Sequence, residues 1–232
     1  MVTQWLQTAA FVVVAATIGT VLFWSVDIIH RGGPVMIPIV MCSVFAVAVM
    51  VERAYYFFQI HLGRDIGRFF DRLRETVEQR QWKEAQSLCE SWPGPVSRVT
   101  LAGLQHHDGT REEIDEVMTE AAHGETPAVE RHLRWLSTLA QVSTLLGLLG
   151  TVTGLVRAFQ VIQAKSGSSG NPVSPGDLAG GVWEALITTV AGLIIAIPAI
   201  VAYNYFASRV SEVQFQMEKA ADIVTGWRRL SR

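Results

Sequence analysis

Charge is scarce in this 232-residue chain: 17% of its residues are Asp, Glu, Lys or Arg, while 50% are hydrophobic. That balance excludes a wholly water-facing surface, and a net charge of −2 excludes the basic face that a nucleic-acid partner requires. Cysteine is scarcer still. Cys42 falls in an apolar run and Cys89 in a polar stretch, so no disulfide between them is expected. No His, Cys, Asp or Glu spacing has the form of a metal site, and His106, His107, His123 and His132 have no nucleophile beside them, so neither an enzyme nor a metal or other cofactor is expected. The N terminus also lacks the positive region and clear cleavage site of a secretory leader, which argues against its removal.

What the chain does have is four long apolar runs, over residues 9–24, 35–51, 136–162 and 178–206. A helix crosses the roughly 30 Å hydrocarbon core with about 20 residues. The last two runs exceed that length and the first two lie near the lower limit. The expected fold is an all-α polytopic membrane protein, with three core transmembrane helices and an extra N-terminal one. The N-terminal run permits two arrangements, a fourth span with a cytoplasmic N terminus or an interfacial helix on the periplasmic side. The spanning arrangement is favoured because Asp27 is the only charge between Thr8 and Ile28.

Orientation follows from Lys and Arg, which concentrate in cytoplasmic segments. Of the 19 basic residues, all but Arg31, Arg157 and Lys165 fall between Arg53 and Arg134 or between Arg209 and Arg232. The expected organisation is therefore an N-terminal apolar and periplasmic segment (1–33), a transmembrane helix (34–52), a cytoplasmic helical domain (53–137) and a second span (138–163). A periplasmic loop (164–177), a third core span (178–206) and a cytoplasmic C-terminal helix (207–232) follow. Within the polar domain, Ile66, Phe69, Phe70, Leu73 and Val77 recur at helical spacing. Residues 92–95, Trp-Pro-Gly-Pro, should end a helix. Thr110 and Glu113 have capping-box spacing at the start of a long helix running from Arg111 toward the membrane, where Pro127 is a candidate kink. Val210, Val213, Met217, Ala220 and Val224 form an apolar stripe suited to pack on that domain.

Two spans contain residues with chemical potential. In residues 145–159, Gly147, Gly150 and Gly154 are spaced for close helix approach, and Thr151 and Thr153 add hydroxyls whose bland role is bonding to their own helix carbonyls. In the last span Glu184 is the only acid in its apolar part, at a depth where an ionised group costs several kcal/mol unless water, a partner or a proton satisfies it. The bland alternative places it, solvated, at the outer interface. Glu184 and Thr188 share a helix face, with Thr189 partly rotated from it. Gly192 suits close packing, and Pro198 removes a backbone bond in the inner half. Arg157, near its helix end, reads as a snorkelling residue rather than a conducting one.

In order, these strings resemble the ExbB/TolQ/MotA proton-channel family, most closely its ExbB and TolQ branch. The resemblance is carried by residues 148–154, Leu-Leu-Gly-Thr-Val-Thr-Gly; by residues 184–193, Glu-Ala-Leu-x-x-Thr-x-x-Gly-Leu; and by residues 196–204, Ala-Ile-Pro-Ala-x-x-Ala-Tyr-Asn. It extends to Gly32–Met36, Val51–Arg53 and Glu130–Leu136. It implies a homo-pentamer in an inner membrane, whose signature helices enclose the single spans of an ExbD- or TolR-like partner that supplies a membrane Asp. The client would be a TonB- or TolA-like protein, and rotation is the favoured mechanism. By motif, Thr151 and Thr189 match the family's pore threonines and Glu184 its pore glutamate, which favours Thr189 over Thr188. Gly147, Gly150, Thr153, Gly154, Thr188, Gly192 and Pro198 are left as pore or helix-packing residues. The extra N-terminal run lies outside the shared pattern, and the polar domain lacks the large charged surface expected of a flagellar stator.

Overall fold

The computed structural model describes residues 32–61, 66–92, 94–167 and 174–226, and every regular element among them is a helix. In chain order these are α1 (Met36–His61), α2 (Ile66–Glu78), α3 (Trp82–Ser91), α4 (Pro95–Gln105), α5 (Arg111–Glu130), α6 (Leu133–Gly167) and α7 (Pro175–Gly226). Among the described residues, three stretches are long and apolar enough to cross a membrane, within Met36–Gln59, Arg111–Lys165 and Leu178–Gly226. The N-terminal run, with its two arrangements, lies outside the described residues.

The helices distribute into two units, one of residues 32–47 with 138–199 and one of residues 48–137 with 200–226. The second is built around the apolar periodicity of its short helices. Phe69, Phe70, Leu73 and Val77 of α2 are buried, as are Val99 and Leu104 of α4 and Ile114 and Met118 of α5. The C-terminal part of α7 joins this core along one stripe, since Val210, Val213, Met217, Ala220 and Val224 are all buried. Lys219 lays its ammonium 4.6 Å from the centre of the Phe70 ring, and Phe206 stacks on Phe57 of α1 at 5.7 Å.

Local chemistry sets the helix ends. α3 stops at Ser91 and α4 begins at Pro95, where a proline in the first helical position loses no intrahelical bond. At α5 the Thr110 hydroxyl accepts from the Glu113 amide at 3.2 Å, and the Glu113 carboxylate accepts from the Thr110 amide at 2.7 Å. α2 closes with bonds from the Arg80 amide to Val77 and from the Gln81 amide to Thr76, with Arg80 in the left-handed region at φ 58°.

The helix expected to run unbroken from Arg111 into the membrane does not. It breaks at Arg131 and His132, where His132 takes φ 61°, rather than at Pro127, which stays inside α5. The break is held from α1. Arg53 is 2% exposed and donates to the α5 carbonyls of Val129 at 3.3 Å and Ala128 at 3.5 Å, with Glu52 at 2.9 Å as its counter-ion. Glu52 also meets the His132 ring at 2.5 Å. A cation at a helix C terminus satisfies carbonyls that have no partner within the helix and complements the helix dipole.

Arg53→Met is therefore expected to destabilise the detergent-solubilised protein by about 1–3 kcal/mol, because it strands these carbonyls. An unchanged thermal unfolding midpoint would refute the capping role. Burial pushes the Cys89 thiol up to about 12, with Glu90 adding to the shift. The reactive species is the thiolate, so folded Cys89 stays protonated and unreactive at pH 8, while an unfolded thiol near pKa ~8.5 is partly ionised. In a Cys42→Ser background, maleimide labelling of Cys89 should be slow in the native protein and fast in denaturant, and equal rates would contradict this core.

Candidate functional site

In the first unit α6 and α7 run antiparallel at a spacing that admits almost no side chain. A methyl carbon placed at Gly154 would stand 2.7 Å from the Gly181 carbonyl oxygen and the Ala185 nitrogen. At Gly147 it would be 3.2 Å from the Thr189 Cα, and at Gly181 2.8 Å from the Ala158 nitrogen. At Gly192 it would strike the Ser143 carbonyl, and at Gly150 the side chain of Thr188. Ser143, Gly147, Gly150, Gly154 and Ala158 thus form one face of α6 against Gly181, Ala185, Thr188, Thr189 and Gly192 of α7. Lipid tails offer no hydrophobic driving force for helix association, so close backbone contact between small residues supplies dispersion and polar contacts instead.

Hydroxyls in the seam differ in what they do. Thr188 is fully buried and donates back to its own helix, to the carbonyls of Glu184 at 3.0 Å and Ala185 at 2.9 Å. Thr189 is half-buried and reaches across to the Gly147 carbonyl at 3.1 Å, with Ala185 at 3.2 Å on its own helix. Ser143 is fully buried, and its hydroxyl has no hydrogen-bond partner among the described residues. Sequence reasoning missed it. The signal was present, because Ser143 precedes Gly147 by one helical turn and so shares the glycine face.

Glu184 lies one turn from Thr188. Its carboxylate is buried rather than solvated: the residue is 8% exposed and forms an ion pair with Arg157 of α6, Oε1 to Nη1. Arg157, expected to reach for headgroups, turns toward the protein instead. The chain ahead of α1 closes over this pair. Gly33 has φ 67°, and a Cβ there would overlap the Glu184 carboxylate and approach Arg157 Nη1 to 2.8 Å. Glycine is needed on both counts, for the left-handed backbone and for the contact. Three segments of the first unit therefore meet at one carboxylate.

The remaining residues of interest stay apart from that cluster. Thr151 is half-buried and donates to the Leu148 carbonyl at 2.6 Å, and Thr153 donates to Gly150 at 3.1 Å, each within α6. Pro198 is exposed within the unbroken α7. Large apolar side chains cover the outward surfaces, among them Leu145, Phe159, Leu186 and Ile194, all more than half exposed. Such a surface suits lipid or further protein helices. No group of three or more His, Cys, Asp or Glu able to hold a metal occurs among the described residues.

Comparison with known proteins bears on these residues. Residues 91–219 match the model of the MotA/TolQ/ExbB proton channel family. An ExbB-like biopolymer transport protein of Synechocystis sp. is 32% identical over 76% of this chain and 82% of its own length. The biopolymer transport protein exbB1 of Vibrio cholerae is 30% identical over 82% of each. The Tol-Pal system protein TolQ of Haemophilus influenzae reaches 37% over 66% of this chain and 64% of its own. Among solved structures, a chain of C. jejuni MotAB is similar in fold at a TM-score of 0.57, covering 94% of this chain and 86% of that one at 15% identity.

The seam makes its own prediction. Gly150→Ala should destabilise by about 1–3 kcal/mol through overpacking against Thr188, despite alanine's higher helix propensity. Combined with Thr188→Gly, which vacates the contested space, the double variant should be more stable than the sum of the two losses by about 0.5–3 kcal/mol. Strict additivity in thermal unfolding would mean the two residues do not meet.

Proposed function

Because this chain belongs to the MotA/TolQ/ExbB proton channel family, we propose that it is the channel-forming subunit of an inner-membrane motor that couples proton-motive force to work on an envelope partner. The observation that carries the reading is the polar content of the α6–α7 seam. Thr189 is half-buried, and Glu184, paired with Arg157, lies one turn from the fully buried Thr188, in helices whose exposed side chains are mostly apolar. Packing alone explains Thr188, whose hydroxyl is consumed by its own helix. It does not explain a buried carboxylate in a membrane span.

Thr151, Glu184 and Thr189 are assigned to the proton pore, with Gly147, Gly150, Thr153, Gly154, Thr188, Gly192 and Pro198 shaping or packing its walls. Five copies surround the single spans of an ExbD- or TolR-like subunit, whose membrane Asp takes the proton. The polar unit faces the cytoplasm, in keeping with its share of Lys and Arg. Each proton driven inward supplies about 2.3 kcal/mol per 100 mV.

The client is proposed to be a TonB-like transport system, supported by similarity to ExbB-type proteins over 76% and 82% of this chain. A TolQ-like role in envelope integrity is the second reading, supported by the 37% identity to TolQ over a shorter stretch. Growth that depends on outer-membrane uptake, set against sensitivity to detergents, separates the two in a deletion strain.

The channel reading is tested by co-reconstituting the chain with the single-span partner in proteoliposomes. Thr189→Val and Glu184→Gln should each lower voltage-driven proton uptake by at least about tenfold, equivalent to ~1.4 kcal/mol of barrier. Wild-type uptake in both variants would make the assembly a scaffold rather than a conductor.

A further inference from the structure

The two charges that meet at the seam are also the only two in the described membrane segments of the first unit. Over residues 34–47, 138–163 and 178–199, Arg157 is the sole basic residue and Glu184 the sole acidic one. Their charges cancel, and the ion pair lets each satisfy the other locally. We propose that Arg157 is a specificity-determining residue of the proton path: it occupies the Glu184 carboxylate with a cation that cannot leave or lose its proton, and so denies that carboxylate to dissolved alkali cations. The inference rests on the channel reading above.

A buried carboxylate without a partner is strongly unfavourable, and in a passage open to water it would recruit a monovalent cation or a proton. Guanidinium is charged at every working pH and has donors but no acceptor, so it neutralises the carboxylate without becoming a relay. Glu184 is 8% exposed, its Oε1 is already engaged by Arg157, and Gly33 stands so near that a single methyl carbon would overlap the carboxylate. A sodium or potassium ion with its water shell has no room on that side. Arg157 is exposed over 45% of its side chain and Glu184 over 11%, so the solvent-facing member of the pair is the cation.

The test uses the full chain with its single-span partner in proteoliposomes, with sodium as the probe. Wild-type proton uptake should be unchanged when sodium replaces choline at constant ionic strength. Arg157→Gln should become sodium-sensitive, losing at least about threefold of its uptake in sodium and gaining radiolabelled sodium binding. Arg157→Lys, which keeps the charge, should stay indifferent. The double variant Arg157→Gln with Glu184→Gln should lose the sodium binding, because the bare carboxylate is gone. An Arg157→Gln variant that conducts and ignores sodium overturns the inference, as does sodium binding that survives in the double variant. Should Arg157→Gln fail to assemble, wild type decides. Sodium binding to the wild-type complex that Glu184→Gln abolishes would overturn the inference, and equal binding in those two proteins would uphold it. Absence of proton uptake in the wild-type complex is a different failure, and it would remove the channel reading itself.

Discussion

Hydrocarbon offers no water to satisfy a polar group, so each one placed at membrane depth must bring its partner within the protein. The Arg157–Glu184 pair meets that constraint for the charges, and much of the first unit's geometry is arranged so that it can. The guanidinium on α6 reaches a carboxylate on α7 only because the two backbones approach to glycine distance along the seam beneath. Gly33 then closes over the pair from a third segment. Bulk at Gly150 or Gly154 would push the helices apart and lengthen the ion pair with them.

The same constraint sorts the hydroxyls. A threonine bonded only to its own helix carbonyls is satisfied wherever the helix goes, and Thr188, Thr151 and Thr153 are of this kind. Thr189 differs, because its bond to Gly147 exists only when α6 and α7 are in register. It is thus the one threonine of the four whose hydroxyl reports on helix separation. Ser143 is the unsatisfied exception, a fully buried hydroxyl beside Gly192 where the backbones are also close. In the second unit the constraint takes another form. Arg53 and Glu52 of α1 satisfy the broken end of α5, so the interruption at His132 is a bonded joint rather than a fray.

Local information made a large part of this legible in the sequence. Hydropathy marked three spans, glycine spacing marked the α6 face, and the 3.6-residue rhythm marked the stripe from Val210 to Val224. The Thr110–Glu113 cap was readable because both partners lie within one turn. What stayed hidden depends on register between distant segments. Arg157 and Glu184 are paired across a helical hairpin, and periodicity within either helix cannot say which residues face each other. Taken alone, Arg157 looked like a headgroup-seeking side chain. Likewise Pro127 invited a kink, while the break came at His132, where neither glycine nor proline announces it and the stabilising groups come from α1. Sequence similarity to the channel family singled out Thr189 over Thr188 by motif, and the structure adds a physical distinction between them in burial and in bonding across the seam.

A satisfied Glu184 also narrows where a moving proton can rest. Glu184 is engaged by a guanidinium that has donors but no acceptor, so no hydrogen-bonded route passes a proton on through Arg157. Hydroxyls of threonine can pass a proton along a hydrogen-bonded chain but do not hold it at ordinary pH. Within the described membrane segments of this chain there is then a fixed electrostatic frame and no good resting place. On the channel reading proposed above, the titrating group sits on another polypeptide, and a carboxylate on an enclosed helix is the simplest group to supply it. On that reading the division of labour follows from the chemistry of arginine: the subunit whose carboxylate is paired with a guanidinium sets the environment, and the one that carries an unpaired acid does the carrying.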